Sequence, residues 1–133
     1  LIFGPAEDQA MIEQARAYLS RKGIGASIFS GISLSVAASL IKRSSLFIGN
    51  DSGITHLASA LGIPVIALFG PTDYRVWGPL GKDVSIVRSS YACSPCREEK
   101  YRLCSRALCM ESLESDSVLE AAGLLLNRSE SCC

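Results

Sequence analysis

Gly49-Asn50-Asp51-Ser52-Gly53-Ile54-Thr55-His56 is the stretch of this sequence best equipped for chemistry. It places a carboxylate, a hydroxyl and the chain's single histidine in and just after one tight turn. A helix is expected to begin inside that turn. Helix N-termini present free N–H groups and a partial positive charge, which suits phosphate. Gly53 allows a ligand close to the backbone, and Ser52 offers a hydroxyl to a phosphate oxygen. Asp51 is anionic and is better matched to sugar hydroxyls, or to capping the helix. At about 100° per residue, His56 falls roughly 150° from the centre of an expected core face of Ile54, Leu57, Ala58 and Leu61. It is therefore expected to hydrogen-bond a ligand or a neighbouring loop. The plainer alternative is ordinary turn chemistry, with Asp51 or Ser52 capping the helix and His56 packed on a loop.

A second group of reactive residues follows. Cys93, Cys96, Cys104 and Cys109 are spaced C-x2-C-x7-C-x4-C, with Cys132 and Cys133 at the end of the sequence. Four thiols at this spacing suit a tetrahedral Zn2+ site, reduced packing residues or disulfides. Buried free thiols are the preferred reading, and none is expected to be catalytic. Residues 88–110 carry five basic side chains (Arg88, Arg97, Lys100, Arg102 and Arg106) against Glu98 and Glu99. They are read as a solvated loop, with a phosphate-facing patch as the sharper alternative. Trp77 is expected in the core, and otherwise as a sugar platform.

The elements that must position these groups alternate. Strands are expected at 1–3, 26–29, 46–48, 64–69 and 84–87. Helices are expected over 7–22, after an N-cap at Ser33, from the 50–53 turn to Gly62, and over 118–126. The first helix carries a stripe of Ile12, Ala15 and Leu19, extended by Met11 and Tyr18. Lys22 and Gly23 close that helix. The apolar run 64–69 reads as a strand covered on both faces. This order predicts α/β architecture, a Rossmann-like parallel sheet with helices on both faces. Ligands in such sheets bind beyond the carboxyl ends of the strands, which singles out loops 4–8, 49–53 and 70–73. One domain over 1–126, containing the cysteine segment 93–109, and a polar tail at 127–133 are expected.

Composition narrows the partners. The chain has 133 residues, 48% hydrophobic and 20% charged, with a formal net charge of zero. That gives no electrostatic case for nucleic acid. No apolar run reaches the ~18–20 residues of a membrane span, and no secretion signal is read at the start. The opening Leu1-Ile2-Phe3-Gly4 reads as the end of a buried strand, so a preceding part is expected. No G-x-G-x-x-G follows a strand, which counts against a dinucleotide oxidoreductase.

The central motif runs Asn50-Asp51-Ser52-Gly53-x-x-His56-Leu57-Ala58-x-Ala60-Leu61-Gly62-x-Pro64-Val65-x-Ala67-Leu68-Phe69-Gly70-Pro71-Thr72-Asp73. It resembles the signature of glycosyltransferase family 9, the ADP-heptose:lipopolysaccharide heptosyltransferases of Gram-negative bacteria. Phe3-Gly4-Pro5-Ala6-Glu7, Gly31–Leu40 and the cysteine segment extend the resemblance over nearly the whole chain. The resemblance implies a GT-B fold, two Rossmann-like domains facing a cleft, of which this chain would be most of the C-terminal, donor-binding half. It implies that Asp51 contacts donor-sugar hydroxyls and that Ser52 and Gly53 hold the pyrophosphate beside His56. It further implies that Ile32 packs on adenine and that Glu7 (or Asp8) takes the ribose. ADP-heptose would be the donor, a lipid A/Kdo-type acceptor the second substrate, and no cofactor would be required. Transfer would be inverting and metal-independent, and the family's general base, an Asp of the N-terminal domain, has no counterpart here. A cytoplasmic location with peripheral inner-membrane contact follows from the same resemblance. The alternatives are a non-catalytic nucleotide-binding domain, a transferase using another nucleotide sugar, and a zinc-stapled interaction module.

Overall fold

Among the described residues, hydrogen bonding sorts five strands into two parallel ladders. The computed structural model describes residues 1–96 and 104–130. The chain divides into two compact units, Leu1–Ala37 and Ala38–Cys133.

In the first unit, β1 (Ile2–Gly4) pairs with β2 (Ile28–Ser30) in the register Gly4↔Ser30. A 3-10 turn, Ala6–Asp8, leads into α1 (Gln9–Arg21). A side chain at Gly4 would collide with the Ile12 side chain, so glycine lets α1 lie directly on β1. Phe3 and Phe29 stack at 5.7 Å between ring centroids on the opposite face of the ladder. The expected helix stripe holds only in part. Ile12 is buried and Leu19 half-buried, but Ala15, Met11 and Tyr18 are exposed. A two-stranded ladder is too narrow to cover a broad helix face. β1 is likewise half-buried, not the buried strand expected. Gly23 ends α1 at φ 74°, its N–H bonding Ser20 O while Ile24 N–H reaches Leu19 O. This is the paired closure that a left-handed glycine permits. Beyond Gly31, Ser33 accepts from Val36 N–H at 3.4 Å and caps α2 (Leu34–Ile41), as expected.

The second unit is built on β3 (Phe47–Asn50), β4 (Val65–Phe69) and β5 (Val84–Arg88), in the order β3-β4-β5. β4 is central, and Val65, Ile66, Ala67 and Phe69 are all essentially inaccessible. Its two faces are covered by different helices. Ile66 joins Val87 of β5 and Ala121 and Leu125 of the closing helix in one cluster. A side chain at Gly49, paired in register with Ala67, would meet Thr55 of α3 (Gly53–Ala60). α3 therefore covers the odd-numbered face of β4 and the closing helix the even-numbered face, as the apolar run predicts. Gly62, at φ 76°, closes α3 as Gly23 closes α1, with Gly62 N–H on Ser59 O and Ile63 N–H on Ala58 O.

The closing helix departs from expectation at both ends. Among the described residues, α4 (Tyr74–Trp77) and α5 (Leu108–Glu111) are four residues each, and α6 runs Ser115–Glu130. It starts before Val118 and continues through residues 127–130 of the expected polar tail. Ala121 and Leu125 anchor it to the sheet, and no proline or terminal glycine stops it sooner. Among the described residues, no helix is long and apolar enough to cross a membrane.

Candidate functional site

The carboxyl edge of the β3-β4-β5 ladder gathers three loops, 51–52, 70–73 and 89–96. Parallel pairing places them there, because Asn50, Phe69 and Arg88 end their strands side by side. The first loop holds the motif.

Thr55 organises it. The side chain is fully buried, and its hydroxyl donates to Asn50 O at 2.6 Å. With that proton committed, Ser52 Oγ donates to Thr55 Oγ1 at 3.1 Å. Ser52 sits at the N-cap position in extended conformation, yet its side chain caps no backbone N–H. Thr55 and His56 N–H groups return to Ser52 O at 3.0 and 3.3 Å. Gly53 and Ile54 therefore supply the amides at the uncapped helix end. Gly53 has open space where a side chain would stand.

Asp51 and His56 flank that end. His56 Nε2 lies 3.8 Å from Asp51 Oδ1, with the side chains 44% and 22% exposed. That separation is an ion-pair distance, too long for a direct hydrogen bond, and it leaves room for a hydroxyl to engage both. His56 is off the core, as expected. The core face itself is rotated from the expected one. Thr55, Ala58 and Ser59 are buried, whereas Ile54, Leu57 and Leu61 are only half-buried. Small residues at i, i+3 and i+4 bring the helix close to the sheet, and their hydroxyls find carbonyls, Ser59 Oγ donating to Leu80 O at 2.5 Å. Its polarity makes Thr55 look like a surface residue in the sequence. Its spacing to Ala58 and Ser59 was the available signal.

The structure thus brings Asp51, Ser52, Gly53 and His56 together at one helix end. Glu7 and Ile32 belong to the other unit. Both follow the carboxyl ends of its paired strands, Glu7 exposed in the 3-10 turn and Ile32 half-buried after Gly31.

Loop 70–73 is held from two sides. Asp73 caps α4, accepting from Arg75 N–H at 3.0 Å and from its guanidinium at 3.0 and 2.8 Å. Those guanidinium bonds first, and the backbone bond second, hold the Asp73 carboxyl below the usual carboxylate range. Arg88 lies over the Tyr74 ring at 5.4 Å, and Tyr74 meets Phe69 edge-on. Trp77, expected in the core, is 59% exposed, since α4 packs through Tyr74 instead. From the other side, Ser94 Oγ donates to Gly70 O at 2.5 Å and Cys96 N–H to Pro71 O at 2.7 Å. Buried Ser89 adds a link to Ser112, 2.9 Å between hydroxyls, tying β5 to the end of α5. Residues 94 and 96 of the cysteine segment are therefore docked on this edge. Its thiols are all free, but only Cys109 is buried, so uniform burial is not observed. Cys96 is half-buried, and Cys93 and Cys104 are exposed. Cys132, Cys133 and most of the basic group (Arg97, Lys100 and Arg102, with Glu98 and Glu99) lie outside the described residues.

A parallel ladder clothed by helices on both faces, with a polar, uncapped helix end at its carboxyl edge, defines an α/β domain of the Rossmann-like class. Residues 1–105 match the family model described as glycosyltransferase family 9 (heptosyltransferase), and the chain belongs to that family. It is 35% identical over 85 residues to lipooligosaccharide heptosyltransferase 2 of Campylobacter jejuni, covering 63% of this chain and 26% of that protein. It is 32% identical over 71 residues to lipopolysaccharide heptosyltransferase 1 of Pseudomonas aeruginosa, covering 53% and 20%. In structure it is similar to a family 9 glycosyltransferase from Veillonella parvula, with TM-score 0.76 and 24% identity, over 95% of this chain and 36% of that one. The chain thus spans only about a quarter of the length of the first curated relatives it matches.

Proposed function

We propose that this chain is the donor-binding part of a glycosyltransferase that moves heptose from ADP-heptose to the lipopolysaccharide inner core. The observation that carries the reading is the α3 N-terminus, uncapped and flanked by Asp51 and His56 at the carboxyl edge of the ladder. The Gly53 and Ile54 amides and the helix dipole receive the diphosphate, while Asp51 accepts from sugar hydroxyls. A hydroxyl between Asp51 and His56 is oriented by both. As the glycosidic bond breaks, charge grows on the diphosphate, and fixed backbone amides stabilise it without reorganising. The acceptor hydroxyl attacks the anomeric carbon with inversion, its proton taken by a base in an N-terminal domain of the intact enzyme. Glu7 for ribose and Ile32 for adenine rest on the resemblance alone. The relatives named as lipooligosaccharide and lipopolysaccharide heptosyltransferases support the sugar and the acceptor class.

The test is calorimetric titration of the chain with ADP-heptose, ADP and UDP-GlcNAc, repeated on Asp51→Ala and His56→Ala. ADP-heptose is expected to bind more tightly than the other two, and Asp51→Ala to weaken it about tenfold while sparing ADP. Equal affinity for ADP and ADP-heptose, unmoved by Asp51→Ala, would indicate a nucleotide module without a sugar site.

A further inference from the structure

The donor site makes no use of the four cysteines, yet the fold collects them. Cys93, Cys96, Cys104 and Cys109 line one cleft of about 360 Å3 beside Pro71. They reach it from two separate stretches. Cys93 and Cys96 come from the loop after β5, Cys96 anchored through its N–H on Pro71 O. Cys104 and Cys109 arrive with the approach to α5. Cys109 is fixed against Gly70, with its sulfur 3.2 Å from where a side chain there would begin.

We propose that Cys93, Cys96, Cys104 and Cys109 form an all-thiolate site for a single thiophilic divalent cation. The donor set selects the class of ion. Among the described residues the cleft is lined by four sulfurs and by no carboxylate or imidazole, a set that favours thiophilic ions over Mg2+ and Ca2+. Four sulfurs are the set that closes a tetrahedral zinc site. Arg106 lines the cleft, but its guanidinium is turned to Glu111 at 2.9 Å. As placed, no three His, Cys, Asp or Glu side chains among the described residues are arranged to hold an ion. The thiols line the cleft without closing it. Cys104 Sγ instead donates to Arg106 O at 2.8 Å. Each cysteine has a single side-chain torsion, so closure asks for rotamer changes at the exposed Cys93 and Cys104. Binding exchanges the thiol protons for the ion, with no change of oxidation state.

The experiment uses the full chain, reduced, freed of metal by chelator and titrated with Co2+ and then Zn2+. One ion per chain is expected, with thiolate-to-cobalt absorption that Zn2+ abolishes. Four of the six cysteines should become protected from an aromatic disulfide reagent, leaving Cys132 and Cys133 reactive. Cys93→Ser and Cys104→Ser change exposed positions, so the fold should persist by circular dichroism. Each should weaken Zn2+ by more than the roughly 10–100-fold typical of losing an outer-shell partner. Asp51→Ala should leave metal binding unchanged, which separates this site from the donor reading. Six reactive thiols without stoichiometric metal would overturn the proposal. So would a disulfide among the four that excludes the ion, an iron–sulfur chromophore in the isolated protein, or binding lost only in Cys132→Ser and Cys133→Ser.

Discussion

The buried hydroxyl of Thr55 sets the shape of the motif turn, and its removal is the sharpest single-residue test. Thr55→Val keeps the volume but loses the bond to Asn50 O and the acceptor for Ser52. It should cost about 1 kcal/mol in urea unfolding, and Thr55→Ser should recover most of that. The turn around it was legible in the sequence because Asn, Asp, Ser and Gly in succession before an apolar stripe have few uses besides opening a helix. Thr55 itself was not legible. A polar residue inside a helix reads as surface unless the carbonyl that satisfies it is known, and Asn50 O becomes its partner only through the fold. Trp77 shows the converse error. Its size argues for the core, but a helix of four residues cannot bury every side chain it carries, and Tyr74 takes the inward position.

Helix ends are legible in the sequence where a chemical punctuation mark bounds them, whereas the first two strands run Ile2–Gly4 and Ile28–Ser30, shifted from the expected 1–3 and 26–29. Gly23, Gly62 and Ser33 ended or began helices as their backbone chemistry requires. α6 overran its expected limits because nothing marks its end. The fit between β3 and α3 gives an element-scale prediction. A methyl at Gly49 would stand 2.6 Å from Thr55 Oγ1 and 2.7 Å from the Phe47 ring. Gly49→Ala should therefore destabilise the chain by about 1–3 kcal/mol, measured by denaturant midpoint. The cap on α4 gives a pH prediction. The folded Asp73 carboxyl titrates below its unfolded value, so its contribution is present above the ordinary carboxylate range and fades as pH falls through the lowered value. Asp73→Asn should lower the melting temperature slightly at neutral pH. It should also lose less than the native chain does as pH is brought from 5 toward 2.

Across the whole molecule, protection should follow the two ladders. β4 is hydrogen-bonded on both sides and covered on both faces, whereas β1 and β2 have one partner each and half-buried residues. In native-state hydrogen exchange the β4 amides should be the slowest, and the β1–β2 amides should open well before them. The alternating pattern of the sequence predicted parallel pairing but not this division, because local periodicity carries no record of which ladder a strand joins. The crossover from β4 to β5 has a consequence of its own. Lys82 sits on its surface, with a 91% exposed side chain. Nearly everything that binds the preceding half of this unit to the following half is noncovalent. It includes the register Val65–Phe69 with Val84–Arg88, the apolar cluster joining Ile66 to Leu125, and the ties to Gly70 and Pro71. Severing the peptide after Lys82 through an inserted protease site should therefore yield two pieces that co-elute under native conditions and part only in denaturant. The sheet would be whole, and the chain would be in two.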